Sequence, residues 1–232
     1  MGWRGKAWGF LIVLTLTAVW PIVGAAASNE SSEKENEEAK ATPAGPALED
    51  ENAEAKSGGK LYTAYNMWYE MRKGDVIMHS INYKTGAMIP AGTEVTDAEI
   101  TKGRKGILRK KPVIAFTTVK DGRTFVVQFR PDVHPGSDID KHFKKMFTTK
   151  SFAALTKGMS QKEIEAIKQG KLVVGMSKKA VLVSYGPPPE HKTPSADSNP
   201  WIFWMNRFKT KEVFFDKEGK TTRAPAVATD EL

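Results

Sequence analysis

Asp132, His134, Asp138, Asp140 and His142 place five carboxylate and imidazole groups within eleven residues. These are the residue types that ligate divalent metals. His134, Asp138 and His142 fall four apart, so one continuous helix would align them. Pro135-Gly136 interrupts that span, and a proline inside it breaks such a helix. A helix is therefore expected to begin about Asp138, with Ser137 or Asp138 as its N-cap. No metal and no cofactor is expected. A second constellation lies in the loop after Gly186, where His191, Ser195 and Asp197 are the residue types of a nucleophilic triad. Neither a nucleophile elbow nor an oxyanion-hole motif accompanies them. No catalytic residue is assigned, and the chain is read as non-enzymatic. The prolines at 187–189, 194 and 200 should hold this loop extended, with His191 exposed as a partner-recognition surface. The chain has no cysteine. That excludes a disulfide framework, Cys-ligated zinc, iron–sulfur ligation, a thiol nucleophile and a lipid on Cys.

The remaining candidates are cationic or aromatic. Lys178 and Lys179 follow Ser177 at the first two positions of an expected helix, where the helix dipole disfavours cations. They are either a solvated pair or, with the free amides there, an anion site for a phospholipid or lipopolysaccharide head group. Lys102, Arg104, Lys105, Arg109, Lys110 and Lys111 supply six cations in ten residues. The run is either a soluble loop or a patch drawn to an anionic envelope surface. Nucleic acid is set aside, because no aromatics interleave with the run and the chain reads as exported. Trp201-Ile202-Phe203-Trp204 is apolar on both faces of a strand. One face should pack on helices; the other, carrying Trp201 or Trp204, should meet the β-rich half, another chain or a membrane.

These residues need elements to hold them. Strands are expected over 61–70, 75–83, 88–96, 111–119 and 123–130, with turns at Lys84-Thr85-Gly86, Pro90-Ala91-Gly92 and Asp121-Gly122. Five short strands in about 70 residues suggest a small barrel. The second half turns helical. Ile139, Phe143, Met146 and Phe147 mark one amphipathic stripe. Gly158-Met159-Ser160 and Gly175-Met176-Ser177 then repeat a helix start, each with a serine N-cap and a methionine before it, stapled to Ile164 or Val181. Glu163 completes a capping box in the first copy. The second helix should stop at Gly186, before Pro187. Strands over 201–206 and 210–216 follow, with a third after Lys217-Glu218-Gly219-Lys220.

Outside this folded part, Arg4 and Lys6 precede an uncharged stretch from Trp8 to Ala27, broken by Pro21 and ending in three alanines. This reads as a signal peptide cleaved near Ala27, with an uncleaved anchor as the competing reading. Residues 28–57 hold nine acids against three lysines, a net charge of −6, within a chain whose total is +8. With Leu48 as its one large aliphatic residue, 28–59 is expected to be a disordered acidic linker. The expected organisation is signal peptide 1–27, linker 28–59, β-rich domain 60–135, helical connection and second domain 136–225, and tail 226–232.

Two resemblances follow. Gly86-Ala-Met-Ile-Pro-Ala-Gly-Thr-Glu-Val95 is similar to the turn–strand element of bacterial SH3-like domains. Gly175-Met176-Ser177, Val181, Gly186, Pro188, Trp201, Phe203, Val213, Phe215, Asp216 and Gly219 together resemble the SmpA/OmlA (BamE-like) family of outer-membrane assembly lipoproteins, across about 158–224. That family lacks a β-rich domain of this kind and carries a lipidated Cys that this chain does not have. The resemblance implies an α+β fold, a small SH3-like β-barrel followed by an αα-βββ module, and a binding rather than catalytic role. The expected function is a periplasmic or envelope-associated binding or assembly accessory. It would act on a protein partner, an anionic lipid surface or a peptidoglycan strand. A secreted inhibitor that plugs another protein's cleft is the alternative, since inhibitors of β-lactamase have a similar module; an enzyme of unrecognised type is the third.

Overall fold

The computed structural model describes residues 59–72, 75–103 and 110–223, all within one compact unit of the chain. The expected signal peptide, residues 28–58 of the linker and the tail lie outside them, as do Arg104, Lys105 and Arg109. The fold is mixed α+β. Strands β1 (Leu61–Thr63), β2 (Met67–Arg72), β3 (Asp75–His79), β4 (Ala87–Ile89), β5 (Glu94–Lys102), β6 (Pro112–Thr118) and β7 (Thr124–Gln128) come first. Helix α1 (Ile139–Met146) leads directly into β8 (Phe147–Thr148). The eight strands form one sheet in the order β4-β2-β3-β7-β6-β5-β1-β8. Its pairs are antiparallel except β3 with β7. Met67, Met78, Ile89, Val95, Phe116, Val127 and Phe147, drawn from seven of those strands, share one core with Ile139 and Phe143 of α1 against it. Strands from the whole width of the sheet can meet in one core because the sheet curls on itself.

This differs from five strands ending before 130. Each of the expected long strands at 61–70 and 88–96 is interrupted, and Phe147, read as the end of a helical stripe, instead opens β8 against β1. The Asp121-Gly122 hairpin forms as its turn residues require: Gly122 takes φ 63° and donates to the Thr118 carbonyl at 2.9 Å, while Thr118 Oγ1 donates to Asp121.

The later elements are a short α2 (Phe152–Leu155), α3 (Gln161–Lys168), α4 (Lys178–Tyr185) and the two-stranded sheet of β9 (Trp201–Trp204) with β10 (Thr210–Val213). The expected third strand is reduced to two isolated bridges, Phe215 with Thr221 and Ser177 with Lys220. A second core gathers Ile167, Met176, Val181, Val183, Tyr185, Trp201, Phe203, Val213 and Phe215. Helix α4 ends at Gly186, φ 75°, where an added Cβ would lie 2.6 Å from the Tyr65 ring. Only glycine fits that close approach. Among the described residues no helix is long and apolar enough to cross a membrane.

Polar side chains of the β-half receive the C-terminal ends of α3 and α4. Asn66 is fully buried; its Nδ2 donates to Ile167 O at 2.7 Å, its Oδ1 accepts from Ala91 N at 2.8 Å, and its backbone N–H donates to Val183 O at 3.1 Å. Asn82 Nδ2 donates to Asn66 O and Tyr185 O at 3.0 and 3.1 Å, and its Oδ1 accepts from Trp68 N. These bonds satisfy helix carbonyls that have no partner within their own helices. Replacing Asn66 with alanine leaves the Ala91 amide unpartnered and Ile167 O with its local bond from Gly170 N, and should cost about 1–3 kcal/mol in urea denaturation. A loss below about 0.5 kcal/mol would show that the joint does not depend on this side chain.

Candidate functional site

Glu163 is the best-connected acid in the structure. Its Oε2 accepts from Ser160 N and Oγ, both at 2.9 Å, and its Oε1 accepts from Ser177 N and Oγ, both at 2.8 Å. The capping box of α3 forms, and the same carboxylate reaches across to the N-cap of α4. Burial alone would raise its pKa, but the four donors outweigh that and hold it at about 2. Lys178, proposed for an external anion, starts a helix whose first amide already donates to Gly219 O and whose third donates to Ser177 Oγ. Its ammonium donates to Ala196 O at 2.8 Å and stands 5.5 and 5.4 Å from the Trp201 and Phe215 rings. Lys179 is exposed. Trp201, offered above as a partner-facing ring, is 1% exposed and anchors the second core; its neighbours Ile202 and Trp204 form the outer face of β9.

The aspartate and histidine constellation is dispersed into structural roles. Asp138 caps α1 by accepting from Lys141 N at 2.7 Å, and Asp132 pairs with Arg130. Asp140 is exposed. Among the described residues no three acids or imidazoles are gathered as a ligand set. His134 and His142 do meet, with ring centroids 4.7 Å apart and Phe129 against both. They are 4% and 2% exposed, and each has an Nε2 without a hydrogen-bond partner. Glu190 lies beside this pair; its Oε1 accepts from Lys145 and its Oε2 from Gly136 N, at 2.7 and 3.0 Å. Burial, with Glu190 partly opposing it, lowers the pKa of His134 to about 4, and burial pushes His142 well below the imidazole range. Both rings are neutral at pH 7.

The loop 187–200 docks onto this cluster. His191 is half-buried rather than exposed: its backbone N–H donates to Val133 O at 3.3 Å, its Nδ1 is 3.1 Å from the same carbonyl, and its ring stacks on Trp204 at 6.1 Å. Ser195 Oγ accepts from Asp197 N at 3.0 Å, a local turn. The proline-rich path and the stacking of His191 against Trp204 thus seat the loop on the protein itself.

Lys84 went unnoticed in the sequence, where it reads as a turn residue. Its ammonium donates to Asn82 O at 2.8 Å and Tyr185 O at 2.6 Å, and sits 4.5 Å from the Trp68 ring and 5.1 Å from Tyr185. Burial pushes its pKa well down. The two carbonyls, the C-terminal end of α4 and the ring faces favour the charged form and oppose that shift.

The described residues of the basic run, Lys102, Lys110 and Lys111, lie at the far end of the β5–β6 hairpin. Thr101 and Lys102 pair with Val113 and Pro112, and Gly103 N donates to Lys111 O at 2.9 Å. Lys102, Lys110 and Lys111 are exposed. No acid occurs anywhere from Ile100 to Lys120. Those of β5 stand nearer its start, at Glu94, Asp97 and Glu99, and Glu94 accepts from Lys60.

Acid should unfold the protein in two limbs. His134 has a folded pKa below its unfolded value near 6.5, so the unfolded chain binds the extra proton and stability falls as pH drops from 6.5 to 4, by about 3 kcal/mol. Glu163 contributes stability above about 4.5 that is lost toward pH 2, again about 3 kcal/mol. Urea midpoints from pH 8 to pH 2 measure both. His142 shares the upper limb, so His134→Gln should shrink that limb without abolishing it, and Glu163→Gln should shrink the lower one; an upper limb unchanged in the first variant or a lower limb unchanged in the second would refute the assignment.

No protein-family model, curated protein or solved structure matches the chain, so its functional reading rests on these side chains.

Proposed function

We propose that this chain is a non-enzymatic, exported cell-envelope protein that acts as a binding or assembly accessory, using the basic end of the β5–β6 hairpin to engage an acidic protein partner or an anionic envelope surface. A peptidoglycan strand is a further candidate ligand; nucleic acid is not, and no cofactor takes part. The observation that carries this reading is the separation of charge along one hairpin. Lys102, Lys110 and Lys111 crowd its far end, joined in sequence by Arg104, Lys105 and Arg109, with no acid among them. A cluster of one sign at the end of a hairpin repels itself, and an anionic counter-surface relieves that repulsion.

Support for the finer fold reading, an SH3-like barrel followed by a BamE-like module related to SmpA/OmlA, comes from the α3–α4 pair held by Glu163 and from β9–β10 over the second core. The inhibitor reading draws on a different feature. Phe208 is 85% exposed at the turn between β9 and β10, and Asn206 Oδ1 fixes that turn by accepting from Phe208 N and Lys209 N. An aromatic side chain on a rigid turn can enter a cleft.

Co-sedimentation with vesicles of equal parts phosphatidylglycerol and phosphatidylethanolamine tests the leading reading. Binding should fall steeply with salt, since screening shortens to ~3 Å at 1 M. Replacing Lys102, Lys110 and Lys111 with glutamine should weaken it about a hundredfold, at about 1 kcal/mol per cation. Unchanged binding in that triple variant would sink the proposal. A salt-resistant one-to-one complex with an enzyme, lost in Phe208→Ala, would favour the inhibitor reading.

A further inference from the structure

We propose that the acidic segment upstream of β1 is the first occupant of the basic hairpin end, so that external anions must compete with the chain's own carboxylates. The inference rests on the hairpin being an anion-docking surface. It starts from the register of the sheet. Strand β1 is short and pairs with β5 only at Leu61 with Val95 and Tyr62 with Glu94. Beyond Val95, β5 continues for seven more residues to Lys102, and among the described residues no strand lies on that outer edge. Thr96, Asp97, Glu99, Ile100 and Lys102 are exposed along it. An edge of this length is an unsatisfied template for pairing.

The pairing is antiparallel, so the chain preceding Leu61 leaves the sheet heading along β5 toward Lys102. Seven residues of strand span ~23 Å. Seven residues back from Leu61 is Glu54, with Glu51, Asp50 and Glu49 just beyond. Continued along the edge, the same register brings the neighbourhood of Glu54 level with Lys102, and the bulge between Thr96 and Glu99 moves this by about a residue. Gly59 and Lys60 are not in the ladder, so the reach is that of an extended chain along the edge rather than of a continued strand.

Charge matches as well. Glu49, Asp50, Glu51 and Glu54 face three described cations, Lys102, Lys110 and Lys111, in a stretch with no acid of its own. Tethered by so few residues, these carboxylates act at an effective concentration in the millimolar range. A free acidic peptide or a sparsely charged surface would not displace them; a dense anionic surface would. The hairpin is thereby made selective for high surface charge.

Two experiments on the full chain separate the claims. Zero-length carbodiimide cross-linking followed by peptide mass spectrometry should join residues 49–57 to lysines of 102–111 within a monomer, and the product should vanish at high salt. Vesicle binding is then compared for two variants with equal charge change. Glu49→Gln, Asp50→Asn, Glu51→Gln and Glu54→Gln together should tighten binding about tenfold. Glu30→Gln, Glu33→Gln, Glu35→Gln and Glu37→Gln together should tighten it much less. The difference should disappear when Lys102, Lys110 and Lys111 are already glutamine. Equal tightening by both sets, or absence of the cross-link, would overturn the inference, while loss of vesicle binding in the lysine variant would still uphold the docking surface. A cross-link without any vesicle binding would instead uphold the internal contact and overturn the docking reading.

Discussion

One carboxylate holds the C-terminal half together. Glu163 sits between two helix starts whose amides point outward with no partner inside their helices. A buried anion costs several kcal/mol unless it is fully hydrogen-bonded, and here four short bonds from Ser160 and Ser177 supply that compensation. The positive ends of two helix dipoles converge on the same charge. This arrangement fixes α3 against α4 more sharply than apolar packing could, because hydrogen bonds have direction and the core between Ile167, Met176 and Val181 does not. It also accounts for Lys178, a cation at an unfavourable helix position. With Glu163 near and the ammonium turned back onto Ala196 O, Trp201 and Phe215, the repulsion from the dipole is offset locally.

The opposite ends of the same helices are held by a different device. Their last carbonyls point at the β-half, where Asn66, Asn82 and Lys84 meet them. The C-terminal ends of the helix pair are therefore closed by side chains of the β-half, whereas their starts are closed by Ser160, Ser177 and Glu163. A second polar seam runs through His134, His142, Glu190 and Lys145, and the loop 187–200 is laid over it by His191 and Trp204. The unpartnered Nε2 atoms in this seam make it the place where protonation works against the fold. The two seams differ in kind: the first is satisfied bond for bond, the second stores unpaired groups.

Against this internally closed framework, the charge on the β5–β6 hairpin stands out because no acid among the described residues pairs with Lys102, Lys110 or Lys111. Elsewhere Lys178 is absorbed by a carbonyl and two rings and Lys145 by Glu190, while Lys179 is exposed at the start of α4. Lys102, Lys110 and Lys111 remain exposed at the end of the β5–β6 hairpin, and among the described residues no strand covers the outer edge of β5 beyond Val95. Charge and an open edge at one place give a surface both a long-range attraction and a short-range template.

Local rules were legible from residue types alone. Asp138, Ser160 and Ser177 cap helices, Glu163 closes a capping box, Gly186 ends α4 and Asp121-Gly122 turns a hairpin, because each depends on bonds reaching three or four residues along the chain. The hydrophobic stripe of α1 was legible for the same reason, since periodicity is a local property. The second half of Glu163's role was not, because Ser177 lies fourteen residues away and only packing brings it within 2.8 Å. Nor were the breaks in the long strands, the β8 pairing, the loss of a full third strand, the burial of Trp201 or the seating of His191. Lys84 shows the limit most plainly. Its neighbours in sequence make a turn, whereas its function as a cap depends on Tyr185, a hundred and one residues on. Sequence determined where elements begin and end and where charge collects, since those follow from short-range sterics, hydrogen bonds and composition. Tertiary structure alone decided which polar groups would be spent on each other, since that follows from distances that no local pattern encodes.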